Sequence, residues 1–113
     1  MEGIAIQLDP DLLENPDADL RYVLPGLLRE RSGGNIQEDG YDYAGPRDCM
    51  VVFLQVQDYE AALACILEVI AEVRVMGNDL QRAAVVARHR GGTVYEVVYP
   101  ADYGGRFPAD AEG

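Results

Sequence analysis

The sequence predicts an α+β fold in which two helices pack on one face of a mainly antiparallel sheet, in the order β-α-β-β-α-β-β. Three observations predict it. Apolar residues recur at helical spacing over 20–31 and again over 59–76, and the segments around them are short runs that alternate or are continuously apolar, as strands are. Near the C-terminal end, Gly91-Gly92 separates two runs rich in Val and Tyr, the signal of a tight hairpin.

Each element has its own warrant. Ile4, Ile6 and Leu8 alternate with Ala5 and Gln7, a strand with one apolar face that Asp9-Pro10 ends. Asp17 or Asp19 caps the first helix, whose apolar stripe is Leu20, Val23, Leu24, Leu27 and Leu28 and whose stop is Gly33-Gly34. Pro25-Gly26 inside it predicts a kink or a division into two short helices, because proline has no amide hydrogen and its ring clashes with the preceding turn. Ile36, Gln37 and Glu38, then Asp39-Gly40, then Tyr41-Asp42-Tyr43 read as a turn-interrupted edge strand or a short hairpin. The run over 49–56 is almost wholly apolar, which makes it the candidate central strand. Asp58 caps the second helix, predicted to reach Val75 or Met76 before Gly77-Asn78, with Tyr59, Leu63, Ile66, Ile70 and Val73 as its stripe, widened by Ala62, Leu67 and Val69.

The hairpin strands are predicted over 83–90 and 93–99. A register that sets Arg88 opposite Glu96 groups Val85, Ala87, Tyr95, Val97 and Tyr99 on one face and leaves Val86, Val94 and Val98 on the other. Pro100 stops the last strand, and 101–113 reads as a loop with a frayed end of a single domain spanning 1–113. The first six elements follow a ferredoxin-like order, with the last strand added at an edge. The sheet face away from the helices is then polar or covered by a partner.

Composition narrows the function classes. Twenty Asp and Glu face nine basic residues, all Arg, for a net charge of −11. Such a charge repels nucleic-acid phosphate and anionic membrane and accelerates encounter with basic proteins. No run approaches the roughly 18 apolar residues of a membrane span, and no signal peptide is visible, so a cytoplasmic location is expected. Cys49 and Cys65 match neither a CxxC redox motif nor a zinc-binding set and read as buried or half-buried thiols. The chain has one His, one Ser and one Thr. His89 stands between Arg88 and Arg90, away from any evident nucleophile, and Ser32 belongs to a Ser-Gly-Gly helix stop. No catalytic residue, cofactor site or metal site is assigned.

Three acidic groupings remain. Glu2, Asp9, Asp11, Glu14, Asp17 and Asp19 fill the N-terminal stretch but lack the calcium-loop pattern. Glu60, Glu68 and Glu72 lie opposite the apolar stripe of the second helix, where solvation accounts for them. In the third, Glu38, Asp39, Asp42 and Asp48 surround Tyr41 and Tyr43, with Arg47 the sole nearby cation in sequence. Tyrosine supplies contact area at low entropic cost and carboxylates accept charge-assisted bonds from a partner's Arg or Lys. These six residues, Glu38, Asp39, Tyr41, Asp42, Tyr43 and Asp48, form the candidate partner-binding patch.

In size, mixed α/β order, the acidic-aromatic segment from Glu38 to Asp48 and scarcity of catalytic residues, the chain resembles the small acidic immunity proteins that bacteria encode beside polymorphic or contact-dependent toxins. The resemblance implies a non-catalytic inhibitor whose acidic patch steers to a basic toxin and occludes it. The alternative is a homodimeric ligand-sensing domain, motivated by Val86, Val94 and Val98 on the second sheet face.

Overall fold

The computed structural model describes residues 2–45, 48–89, 95–103 and 107. Its elements are β1 (Glu2–Leu8), a 3₁₀ turn (Pro10–Leu12), α1 (Leu20–Arg31), β2 (Ile36–Ala44), β3 (Cys49–Val56), α2 (Tyr59–Glu72), β4 (Ala84–His89) and β5 (Tyr95–Tyr99). The strands form one five-stranded sheet in the spatial order β2-β3-β1-β4-β5, with every neighbouring pair antiparallel. The α+β class therefore holds, while the ferredoxin-like order is not fully matched, since the sheet has five strands rather than four.

β1, not β3, holds the middle of the sheet. β3 is apolar through Leu54 because both faces of that stretch are covered: Met50, Val52 and Leu54, like Val56 beyond them, lie under the helices, while Val51 belongs to a cluster on the opposite side. That composition is shared by a central strand and its neighbour, so it does not rank them. Ile4, Ile6 and Leu8 of β1 meet Leu20, Leu24 and Leu28 of α1 and Ala62, Ile66, Val69 and Ile70 of α2 in the main core. Each large side chain fully buried there contributes about 1.5–3 kcal/mol relative to exposure.

The first helix starts from an Asx turn, in which the Asp17 carboxylate accepts the Asp19 amide at 2.9 Å. It runs as one helix through Pro25, so of the two outcomes expected from sequence, a kink or a division, the division does not occur. Pro25 withdraws a donor only from the Arg21 carbonyl, in the first turn, and its buried ring packs on the same side as Leu24 and Leu28. Gly33 and Gly34 close the helix at positive φ, donating to the Glu30 and Arg29 carbonyls in a Schellman arrangement. Val23, expected in the apolar stripe, is exposed.

The second helix ends at Glu72, earlier than its apolar pattern suggests, because Val73 turns extended and Val75 bridges Asn78 around Met76 and Gly77. Asn78 is fully buried, and its side chain binds Asn15 N at 2.6 Å, Asn15 O at 2.9 Å and Val75 O at 3.1 Å. This clamp joins the loop before α1 to the loop after α2, a long-range constraint that overrides the helical pattern.

In the last hairpin Arg88 does face Glu96. A bulge after Val86, however, sets Tyr99 opposite Val86 on the helix side and separates it from Val85, Ala87, Tyr95 and Val97. Val86 is completely buried in the main core and Val98 packs against that core, so neither offers a second-face surface for a dimer. Val94 and the Gly91-Gly92 turn lie outside the described residues. The second face is a small apolar cluster of Ala5, Ala44 and Val51, against which Phe53, Tyr95 and Phe107 pack. Phe107, from the segment expected to be frayed, lies 5.3 Å from the Tyr95 ring. An intramolecular aromatic thus joins the cover of a face expected to be polar or to need a partner.

Candidate functional site

Among the described residues β2 is an edge strand paired only with β3, and residues 37–43 are all exposed. A register shift between Glu38 and Tyr41 admits Asp39 and Gly40 as a bulge, with Gly40 at φ 97°. Glycine tolerates that left-handed backbone without strain. The six-residue patch is divided by this geometry. Tyr41 and Tyr43 pair with Val52 and Met50 and so project to the helix side, as does Glu38 opposite Leu54. Asp42, opposite Val51, projects to the second face. Asp39 lines a 120 Å³ cavity there with Phe53, His89 and Tyr95. Asp48 follows in the β2–β3 turn at φ 52° and lines a pocket beside Tyr43. Arg47 lies outside the described residues.

On the helix side the two tyrosines meet residues of α1 that the sequence reading passed over. Tyr41 contacts Tyr22 and Tyr43 edge-on, with ring centroids 6.0 and 6.1 Å apart. The Arg21 guanidinium carbon is 4.9 Å from the centroids of both Tyr22 and Tyr41, within cation–π range. Its Nη1 also donates to the Tyr43 hydroxyl at 3.0 Å. Arg21 Nε is buried and has no hydrogen-bond partner among the described residues. Tyr22, Val23, Tyr41 and Tyr43 are four of the five large apolar side chains exposed among the described residues, so exposed apolar surface concentrates where α1 flanks β2. A signal for Tyr22 existed in the sequence: an aromatic two positions from Leu20 and Leu24 falls off their buried stripe.

The electrostatics of this row are coupled. Hydrogen bonds from Arg21 and then from the Tyr41 hydroxyl hold the Tyr22 pKa below the usual tyrosine value. The reciprocal bond to Tyr22 raises Tyr41. Bonds to Tyr22 and Tyr43 raise Arg21 further above its ordinary value, keeping the guanidinium charged. Tyrosines braced on a fixed cation lose little side-chain freedom when they meet a partner.

The remaining sequence candidates have local employment. In the N-terminal stretch the Asp9 carboxylate accepts the Asp11 amide, Glu14 accepts the Asp79 amide and faces Arg74, and Glu2 forms a two-pronged ion pair with Arg88 at 2.7 and 2.8 Å. Ser32 donates to the Arg29 carbonyl and accepts from the Ile36 amide, tying down the end of α1. His89 stacks on Tyr95 at 4.7 Å. Cys49 is buried and Cys65 half-buried, both unbridged. A broad 550 Å³ cleft between the end of α1 and the start of α2 is lined by Arg31, Asn35, Gln57, Asp58 and Cys65. Asn35 there is committed to backbone groups of Gln57 and Asp58. Among the described residues no group of three or more His, Cys, Asp or Glu could hold a metal ion, and no helix is long and apolar enough to cross a membrane. No protein-family model, curated protein or solved structure matches the chain.

Proposed function

We propose that this chain is a non-catalytic protein-binding domain that captures a basic partner, acting in the bacterial cytoplasm as an immunity-type inhibitor of a toxin. The core from β1 to β4 is read as ferredoxin-like, with β5 added beside β4. The observation that carries the functional reading is the exposed Tyr22–Tyr41–Tyr43 row braced by Arg21. Tyrosine and arginine dominate the energetically critical positions of protein interfaces, and here they stand on a chain of net charge −11. Long-range attraction from the acids sets the encounter rate, and the tyrosines set the residence time.

Affinity capture from the native host at low and moderate salt tests this. The expected result is one stoichiometric basic protein that salt releases. With that partner in hand, Glu38→Lys combined with Asp42→Lys slows association and flattens its salt dependence, whereas Tyr41→Ala accelerates dissociation on the order of tenfold. A partner that binds these variants as it binds the parent chain overturns the assignment of the patch. A clean homodimer that captures nothing overturns the inhibitor reading.

A further inference from the structure

The tyrosine row leads at one end into a pocket with a different chemistry. Among the described residues Leu8, Pro10, Leu13, Pro16, Ala18 and Met50 line it, with Tyr43 as a shared wall and Asp48 as the one acidic residue. The pocket holds about 100 Å³. That is room for three or four methylene-sized groups at roughly 30 Å³ each, the volume of a water molecule. The Asp48 carboxylate makes no hydrogen bond or ion pair within the described residues, although its amide donates to Gly45 O at 3.1 Å and so holds the turn in place.

We infer that this pocket receives a lysine side chain of the protein partner, with the aliphatic stem against Leu13 and Met50 and the ammonium on Asp48. The assignment rests on the protein-binding reading and adds its specificity determinant. An apolar hollow alone would accept leucine or methionine as readily. A carboxylate among its lining selects an occupant that is apolar along its length and cationic at its tip, which is how lysine divides its surface. The whole chain's charge of −11 favours the same sign of partner. Arginine is a poorer fit, since its planar guanidinium is bulkier than an ammonium and the pocket holds only about 100 Å³.

The test uses the isolated protein and two probes that share a four-carbon stem, Nα-acetyl-lysine methylamide and Nα-acetyl-norleucine methylamide, titrated by NMR while the Leu13 and Met50 methyl signals are followed. The lysine probe is expected to bind about threefold to fivefold more tightly, the scale of a solvent-exposed charge pair. Added salt should reduce that preference. Asp48→Asn removes it while keeping the fold, because asparagine tolerates the left-handed backbone at φ 52°. Equal binding of both probes, absence of binding by either, or a preference that survives in Asp48→Asn overturns the inference. Tighter binding of cadaverine than of the lysine probe would assign the pocket to a free polyamine and overturn protein docking. Because no partner is needed, an empty affinity capture beside a lysine-selective pocket would reject the inhibitor reading alone.

Discussion

The Arg21 guanidinium donates to the Tyr43 hydroxyl at 3.0 Å, joining the first turn of α1 to the sheet's edge strand. The bond links residues 22 positions apart and makes one surface from a helix residue and a strand residue whose sequence neighbourhoods have nothing in common.

The same arginine orders the ionisation of its neighbours. Hydrogen bonds from Arg21 and then Tyr41 favour the Tyr22 phenolate and lower its pKa, while Tyr41, donor in that pair, is raised. As pH rises, Tyr22 is therefore expected to lose its proton before Tyr41. Arg21→Gln removes the largest cause and should move Tyr22 upward, narrowing the gap. An NMR titration of the ring signals checks both statements, and deprotonation of Tyr41 first would contradict the arrangement.

Asn78 holds two loops together from a fully buried position. Asn78→Ala strands the Asn15 amide and carbonyl, each costing about 1–3 kcal/mol if water does not reach it, while the Val75 carbonyl keeps the backbone amide of residue 78 at 2.9 Å. A loss of roughly 2–4 kcal/mol in urea unfolding is expected, since some of these groups regain solvent. Asn78→Leu, which keeps the branching at Cγ but is bulkier and has no polar atoms, should fare no better. Unchanged stability in both variants would show that the clamp is incidental.

Phe107 tests whether the second sheet face depends on the far end of the chain. Phe107→Ala is expected to cost about 1–3 kcal/mol, below the 3–5 kcal/mol of a fully buried phenylalanine, because the ring is only half-buried. It should also increase binding of a hydrophobic dye to the face formed by Ala5, Ala44 and Val51. Parental stability and dye binding would mean that the face is covered without it.

The Cys65 thiol pKa is pushed up, first by burial and then by the Glu68 carboxylate. Only the thiolate is alkylated, so at any pH below that pKa a raised value means a slower reaction. Glu68→Gln removes one cause, lowers the pKa and should speed alkylation by iodoacetamide. Cys49, buried in β3, is expected to react only on unfolding. A rate unaffected by Glu68→Gln would leave burial as the whole cause.

The element order was legible in the sequence because it depends on local physics. The alternation of Ile4, Ile6 and Leu8, the Asp58 cap that accepts the Ala61 amide, and the Gly33-Gly34 stop each act within a few residues, and each stands where the pattern placed it. Arg88 opposite Glu96 followed from matching charges across a hairpin. Of the candidate site, Tyr41 and Tyr43 were legible as aromatics among acids. Their partners Arg21 and Tyr22 were not, since only the packing of α1 beside β2 brings them there.

Tertiary structure alone decided the remainder, and in each case the deciding contact spans a long stretch of chain. The Asn15–Asn78 clamp accompanies the early end of α2 at Glu72, although the apolar period continues beyond it. One bulge residue in β5 moved Tyr99 to the helix side, because a period of two reverses every face when the register slips by one, and the pairing of Val86 with Ile6 on β1 put Val86 in the core. The bulge at Asp39-Gly40 divided the acids of the patch between two faces. Propensity and pattern specify which elements form; which face each residue shows depends on register and long-range packing, energies to which distant residues contribute jointly.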